Sequence, residues 1–507
     1  MLQSRLRMTK GNQAMSNTTR KLPSVSDGRL FINGDWRDAS DGRTAPTINP
    51  ADGREIAQIA QATEADVDSA VAAARKAFDD GPWRTMNVHE RGALLSKVAD
   101  LIERDAEEIG YLETVDMGKP ITYSTYVDVP IAVQIFRYMA GAATRMDGAT
   151  RQGAPPTLNY TLREPLGVVT AITPFNFPLL LSLTKITPAL AAGNTVVHKP
   201  SPQTPLSALK MAALFAEAGF PDGVVNVITG PGVELGEALV RHPGIDKIAF
   251  TGSTEVGKSI IRNAAETLKK TTMELGGKSP NIIFEDADLE AAIQHAFGGI
   301  FYNKGEICTA GSRLLVQRSV YDRVVEALVG AAENTKPGDP LNPDTFFGPL
   351  AHRGQFEKVS SYVEIGKGEG ARLATGGEQY HPADIPDGGL YFLPTIFADV
   401  DNKMKIAQEE IFGPVLCVIP FEDEKQAIEI ANDTPYGLAS GVHTTNIKRA
   451  HRVAHALKAG TVWVNTYNQF DTTTPFGGYK ASGFGRESGP EVMENYTQTK
   501  SVWVDLS

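Results

Sequence analysis

Two residues in this chain could act as a sulfur nucleophile, Cys308 and Cys417, and their neighbours set them apart. Cys308 lies in Phe301-Tyr-Asn-Lys-Gly-Glu-Ile-Cys-Thr-Ala-Gly-Ser-Arg313, where Gly305, Thr309, Ala310, Gly311 and Ser312 leave a sulfur free to meet a substrate. Cys417 lies in Ile411-Phe-Gly-Pro-Val-Leu-Cys-Val-Ile419, an apolar run that predicts a buried strand and an inert core thiol. A nucleophilic thiol also needs a base and donors for the oxyanion it creates. Thr272-Met-Glu-Leu-Gly-Gly-Lys-Ser-Pro280 sets Glu274 between apolar residues and a glycine pair. Burial there would raise its pKa toward that of a useful general base, although from this segment alone a capping or surface glutamate is the simpler reading. Thr173-Pro-Phe-Asn-Phe-Pro178 is polar and proline-braced, and Asn176 within it is either an amide donor or a plain turn residue.

Three further segments could hold phosphate or ribose. Gly230-Pro-Gly-Val-Glu-Leu-Gly236 follows a predicted strand and opens a helix, where backbone N–H groups and the helix dipole favour an anion. Its last glycine comes one residue later than in the usual dinucleotide fingerprint. Phe250-Thr-Gly-Ser-Thr-Glu-Val-Gly257 is a second strand–glycine–helix junction, and the two are expected at the ends of adjacent strands. His198-Lys-Pro-Ser-Pro leaves another strand, so Lys199 could reach a ribose or phosphate, or could simply be solvated.

The elements that must position these residues alternate along the chain. Runs at 168–172, 195–198, 224–228 and 247–250 are β-branched, and helical stretches at 178–192, 204–218, 233–241 and 255–269 separate them. This alternation predicts a parallel sheet wrapped by helices, the dinucleotide-binding architecture. Helices are also expected over 64–80 and 88–115, the second from the three-and-four spacing of Leu94, Leu95, Val98, Leu101 and Ile102. A second alternating block runs from about 281 to 465, with strands that include 312–316, 415–419 and 461–464. A helix over 286–302, capped by Asp286 or Asp288 and ended by Gly305, puts Cys308 in the loop beyond it. Two β-rich pieces, 147–165 and 497–506, fit neither block, and the second reads as an edge strand whose partner lies across a subunit boundary. The fold class is α/β: a Rossmann-like cofactor domain (27–146 and 166–276), an α/β catalytic domain (277–496) and a small β oligomerisation arm (147–165 and 497–507).

Composition narrows the function classes. The 49 lysines and arginines against 60 aspartates and glutamates give a net charge of −11, which disfavours nucleic acid and anionic membrane surfaces. No apolar run approaches the roughly 20 residues of a membrane span. Two cysteines cannot build a disulfide framework, which points to a reducing, cytoplasmic setting. Residues 1–26 are basic, with no acidic residue and no hydrophobic core for a secretory signal. They read as a disordered tail or an over-long start, with a transit-like leader as the alternative.

Pro174-Phe-Asn-Phe-Pro, His198-Lys-Pro-Ser, Phe250-Thr-Gly-Ser, Met273-Glu-Leu-Gly-Gly-Lys, Gly305-Glu-Ile-Cys, Glu409-Glu-Ile-Phe-Gly-Pro and Pro475-Phe-Gly-Gly-Tyr-Lys occur in this order. The chain thereby resembles the aldehyde dehydrogenase superfamily over essentially all of residues 30–506. The resemblance implies that Cys308 attacks an aldehyde carbonyl to give a thiohemiacetal. The Asn176 amide and the Cys308 N–H would hold its oxyanion, each donor worth about 3–4 kcal/mol. Hydride would pass to NAD or NADP, leaving a thioester that Glu274 hydrolyses by activating water. Lys185 and Glu487 match positions linked to proton relay. Glu410 and Phe412 would hold the nicotinamide ribose, and Lys199 with Ser201 the adenosine ribose. Gly232, Gly236, Gly252 and Ser253 would border the pyrophosphate. Ile172, Thr173, Pro174, Phe175, Phe250, Val256 and Leu275 complete the implied cofactor set, and no metal is implied. Phe177, Thr184, Phe470, Asp471 and Phe476 fall at substrate-pocket positions, and the implied assembly is a homodimer or homotetramer.

Two positions depart from the family pattern. Pro202 replaces a glutamate that in many relatives accepts both adenosine ribose hydroxyls, so a 2′-phosphate is no longer repelled and exclusive use of NAD is not implied. Thr184 stands where relatives selective for small aliphatic aldehydes carry a bulky aromatic, which suggests a roomier channel and a medium-sized aromatic or amino aldehyde. Other readings make different demands. A cysteine hydrolase would need a histidine beside Cys308, and of nine histidines none, His295 included, stands in a telling motif. A binding or structural protein on this fold would lack the nucleophile or the base, yet both are present. Acylation of coenzyme A is disfavoured because Glu274 supplies a hydrolytic base.

Overall fold

The structure is a computed structural model that describes residues 25–383, 385 and 388–507. The basic segment read as a tail lies almost wholly outside the described residues. Eight strands form the first sheet, in the order Gly483–Phe484, Lys270–Glu274, Lys247–Thr251, Val168–Ile172, Thr195–Lys199, Val225–Val227, Leu30–Ile32 and Asp35–Arg37. The five from Lys270–Glu274 to Val225–Val227 are parallel, and the outer pairings are antiparallel. Helices cover both faces of a parallel sheet, so its strands are continuously buried, as at Val168–Ile172, rather than alternating. The chain runs outward from Val168–Ile172 through Thr195–Lys199 to Val225–Val227, then returns to lay Lys247–Thr251 on the other side of Val168–Ile172. The order therefore reverses beside Val168–Ile172, which is where open α/β sheets hold ligands, and the loop carrying Asn176 leaves from there.

That reversal corrects one expectation. The strands before the two glycine junctions, Val225–Val227 and Lys247–Thr251, are consecutive in the chain but separated in the sheet by two others. Their helices, Gly232–Arg241 and Thr254–Ala264, nevertheless pack against each other.

The second sheet has seven strands in the order Arg372–Thr375, Thr395–Ala398, Val415–Phe421, Arg313–Gln317, Pro280–Ile283, Ala439–His443 and Thr461–Val464, all parallel except the first pair. Cys417 is fully buried in its third strand, with Sγ donating to Ile406 O at 3.3 Å, in keeping with a core thiol. The helix before Cys308 is Leu289–Phe301, shorter at its start than expected because Asp288 is the cap, its carboxylate accepting the Ala291 N–H at 3.3 Å. Beyond it Asn303 (φ 47°), Lys304 (φ 61°) and Gly305 (φ 72°) turn through the left-handed region. A Cβ on Gly305 would come within 2.2 Å of Gly413 O, so this turn requires glycine.

Two other expectations change. The single helix over 88–115 is two, Val88–Arg104 and Ala106–Met117, broken at Asp105. Apolar spacing carries across a one-residue break and cannot reveal it. The strand Thr497–Asp505 pairs antiparallel with Thr157–Pro165 of the same chain, from Thr497↔Pro165 to Asp505↔Thr157, and Thr150–Arg151 lies on the far side. Thr497–Asp505 thus has a partner within its own chain, and its outer edge is open.

Candidate active site

Cys308 follows the left-handed turn and is partly exposed, the only one of the two thiols that solvent touches. Its carbonyl oxygen lies against Gly277, where a Cβ would approach it to 2.2 Å. A glycine pair is what allows the chain leaving Glu274 to run this close to the nucleophile. Glu410 lies over the same pair: its Oε1 accepts the Gly277 N–H at 2.8 Å, and a Cβ on Gly276 would meet its Oε2 at 2.5 Å. Asn176 is 2% exposed and donates from Nδ2 to Glu306 O, two residues before Cys308, at 2.9 Å. Asn303 Nδ2 donates to Asn176 O at 3.0 Å, which locks the amide's backbone to the nucleophile turn. A primary amide has two N–H bonds, so one remains after the contact with Glu306. On the other side of Cys308, Thr309 donates to Asn468 Oδ1 at 3.1 Å, and its carbonyl accepts the Tyr467 hydroxyl at 2.9 Å.

Glu274 ends the strand Lys270–Glu274 and is 5% exposed, with no partner for Oε2 among the described residues. Its Oε1 faces Gly477, where a Cβ would come to 2.8 Å. Burial lifts its carboxyl well above the ordinary carboxylate range and the nearby Glu487 adds to this, while Lys185 and Arg486 pull the other way. Burial also pushes the Cys308 thiol up to about 12, with the carboxylates of Glu274 and Glu410 contributing. Behind Glu274, fully buried Lys185 approaches Glu487 Oε1 at 2.5 Å, and Thr184 donates to Glu487 Oε2 at 2.9 Å.

The cofactor-side residues line the ends of the first sheet. Ile172 and Lys199 are paired across neighbouring strands. Lys199 is buried rather than solvated, donates to Pro200 O at 2.9 Å, and is lowered to about 8 by burial with no carboxylate acting on it. Ser201 donates to Gln203 Oε1 at 2.6 Å. Thr173 Oγ1 meets His198 Nε2 at 3.0 Å, and Phe175, next to Pro174, packs edge-on to Phe412 with centroids 5.7 Å apart. Phe412 is itself in the left-handed region (φ 62°), held by Gln355 Nε2 donating to its carbonyl at 2.6 Å. Gly232 opens one helix and Gly236 lies one turn further on, neither pressed by a neighbour. Gly252, packed on the Phe250 ring, precedes Ser253, whose Oγ accepts the Val256 N–H at 3.3 Å and caps the adjacent helix. Leu275 is buried against Gly257.

At the substrate side, Phe470 is 55% exposed and meets Trp463 and Phe476 edge-on, each at 5.6 Å. Asp471 is exposed and spends Oδ1 on the N–H and hydroxyl of Thr473, which hold its carboxyl below the usual range. Phe177 carries Lys119 Nζ 3.8 Å above its ring. His295 stacks on His443 with centroids 5.6 Å apart, so it is not the partner a cysteine hydrolase would need.

Residues 36–502 match the model of the aldehyde dehydrogenase family. This chain belongs to that family. It is 50% identical over 491 residues to aldehyde dehydrogenase family 2 member C4 of Arabidopsis thaliana, covering 96% of this chain and 97% of the relative. The NAD+ complex of an aldehyde dehydrogenase from Bacillus cereus superposes with a TM-score of 0.93 at 51% identity, covering 95% of this chain and 97% of the other. An indole-3-acetaldehyde dehydrogenase of P. syringae, solved with NAD+, gives 0.92 at 46% identity, covering 95% and 97%. The protein is an NAD(P)-dependent aldehyde dehydrogenase.

The residues present fit a dinucleotide. The helices Gly232–Arg241 and Thr254–Ala264 pack together, with Val233 and Val256 exposed in their first turns, and a helix N-terminus is suited to an anion. Lys199, a buried amine with one backbone acceptor, and the Gly276–Gly277 cradle under Glu410 complete the track. The dehydrogenase brings Cys308, Asn176, Glu274, Glu410, Lys185, Glu487 and Thr184 together from six separate segments. It leaves Asp471 on the exposed rim. Sequence reasoning missed Asn303, Gln355, Tyr467, Asn468 and Gly477. Asn303 stood inside the segment around Cys308 and Gly477 inside Pro475-Phe-Gly-Gly-Tyr-Lys, but Gln355, Tyr467 and Asn468 act through contacts set only by the fold.

Proposed function

We propose that the enzyme oxidises a medium-sized aromatic or amino aldehyde to its acid through a covalent intermediate on Cys308. The observation that carries this reading is the contact of Gly277, three residues after the buried carboxylate of Glu274, with the Cys308 carbonyl, beside an amide at Asn176 pinned to the Cys308 turn. The Cys308 proton leaves to solvent, which touches this thiol, as sulfur bonds to the aldehyde carbon, and the remaining Asn176 N–H and the Cys308 N–H receive the oxyanion. A nicotinamide held by Glu410 and Phe412 would supply the hydride acceptor, and loss of hydride from this carbon would leave Cys308 carrying a thioester. Glu274 then accepts a proton from water as its oxygen attacks the acyl carbon; the C–S bond breaks, the acid departs and the sulfur is restored. Glu487 and Lys185 lead the proton away. Glu410 and Phe412 would hold the nicotinamide ribose, Lys199 and Ser201 the adenosine ribose, and Gly232, Gly252 and Ser253 the pyrophosphate.

Support for the substrate class comes from the aromatic rim of Trp463, Phe470 and Phe476, the exposed Asp471 and the small Thr184, and from the likeness to an indole-3-acetaldehyde dehydrogenase. The test is kcat/KM for phenylacetaldehyde, aminobutyraldehyde, betaine aldehyde and acetaldehyde, with NAD and NADP separately. Acetaldehyde as the best substrate would contradict the reading; the NAD and NADP arms decide the cofactor preference, which Pro202 leaves open because it offers no carboxylate to repel a 2′-phosphate. In this reading 27–146 with 166–276 bind cofactor and 277–496 carry the chemistry. The arm of 147–165 and 497–507 builds a homodimer or homotetramer in the cytoplasm.

A further inference from the structure

Thr184 and Lys185 are consecutive on the helix Pro178–Ala192, and both side chains reach the same carboxylate. Lys185 Nζ lies 2.5 Å from Glu487 Oε1, while the Thr184 hydroxyl donates to Oε2 at 2.9 Å. The backbone of Glu487 is fixed as well, its N–H and C=O exchanging 2.7 Å hydrogen bonds with Phe476. Thr184 Oγ1 has a second acceptor in reach, Leu181 O at 3.2 Å. A hydroxyl carries one hydrogen and two lone pairs, so it cannot donate to both, but it can alternate. With Glu487 ionised, the hydrogen points at Oε2, because a charged acceptor makes the stronger bond. With Oε2 protonated, the carboxyl donates to Thr184 Oγ1 and the threonine's hydrogen turns to Leu181 O.

We propose that Thr184 is a positioning residue for proton transfer, holding Glu487 in place in both protonation states by switching its own hydrogen between Glu487 Oε2 and Leu181 O. This rests on the reading above, in which Glu487 and Lys185 take the proton away from Glu274. One proton arrives on Oε2 and one leaves toward solvent, and no covalent bond to Thr184 forms or breaks. The groups that face Glu487 are Lys185 on the helix, Glu274 and Lys247 from two strands, Arg486 beside it in the chain and Tyr496 from the turn before the last strand. Lys247 is buried and committed to Thr272 Oγ1 at 3.1 Å, with its amine over the Tyr496 ring at 4.9 Å. Among the described residues, no other group donates to Oε2, so loss of the hydroxyl leaves that oxygen unpaired.

The experiment compares Thr184→Val, Thr184→Ser and Glu487→Gln by stopped-flow and steady-state reduction of the cofactor. Thr184→Val keeps the shape and removes the hydroxyl. It should retain the first-turnover burst, lower kcat about five- to twenty-fold and move the acid limb of the kcat profile to higher pH. Thr184→Ser should restore kcat to within about two-fold of the parent, since it returns the donor. Parent-like kcat and pH profile in Thr184→Val with a slowed Glu487→Gln would overturn the role of Thr184 and leave the relay standing. Parent-like behaviour of both variants would remove the relay and this inference together. A rise in KM alone, or loss of the burst, would confine Thr184 to shaping the channel, with no part in proton transfer, and also overturn the inference. Thr184→Ala repeats the test if the valine variant does not fold.

Discussion

A methyl group on Gly277 would sit 2.2 Å from the Cys308 carbonyl oxygen, and real Cβ atoms do not come that close to backbone. Gly277→Ala must therefore displace either the nucleophile loop or the end of the strand carrying Glu274. We expect at least about a hundred-fold loss of kcat, since small misplacements of reacting groups carry penalties of this order, with a stability loss of about 1–3 kcal/mol. Parent-like turnover would show that the two segments are not coupled in this way. Glu274 also leaves a mark on stability. Its carboxyl is raised by burial, so below its ordinary value of 4.5 both folded and unfolded chains hold the proton and the group costs nothing. As pH rises above 4.5 the unfolded chain releases the proton while the folded chain retains it, and stability falls. Glu274→Gln removes that term, so its Tm advantage over the parent should be larger at pH 8 than at pH 5; a constant difference would contradict the assigned environment. Local composition alone separated Cys308 from Cys417. Asn176 and Glu274 became legible only through the ordered set of motifs, because a turn asparagine and a capping glutamate look the same in isolation. The tie between Thr184 and Glu487 spans 303 positions of chain, and no local pattern encodes it.

The helix Leu289–Phe301 delivers the nucleophile turn, and Asp288 is its cap. Replacing Asp288 by alanine should cost about 1 kcal/mol, read by urea unfolding. Turnover should change little, because the turn 302–305 is pinned independently through Asn303 and Gly305. The alternating runs of the first sheet and the junctions at 230–236 and 250–257 were visible in the sequence because burial on both faces forces continuous apolar strands. Helix ends were less visible. Asp105 breaks 88–115 without disturbing its apolar spacing, and the helix expected over 255–269 stops at Ala264, followed by Leu268 at φ 54°. Strand order could not be read at all, since the reversal beside Val168–Ile172 depends on which face each crossover takes.

In the proposed mechanism two α/β sheets serve one site, elements of the first carrying Asn176, Glu274 and Lys185 and those of the second leading to Cys308 and Glu410. The third sheet stands apart, with Thr497–Asp505 on its edge and Trp503 65% exposed. An edge strand unpaired on its outer side among the described residues, with an exposed tryptophan, is a pairing surface, which supports assembly through this arm. Trp503→Glu combined with Leu506→Glu should shift the enzyme toward smaller species in sedimentation velocity, whereas an unchanged mass would place the interface elsewhere. The sequence marked this arm as foreign to both blocks but missed its partner at Thr157–Pro165, more than three hundred residues away.

The central claim is that Cys308 carries an acyl group which Glu274 hydrolyses, and single-turnover reduction of the cofactor by Glu274→Gln tests it most directly. With excess aldehyde and NAD, the variant should release close to one equivalent of reduced cofactor per active site and then stall, its steady rate falling about a hundred-fold or more. Cys308→Ala should show no burst at all. Steady turnover in Glu274→Gln at the parent rate, or a burst from Cys308→Ala, would contradict the account.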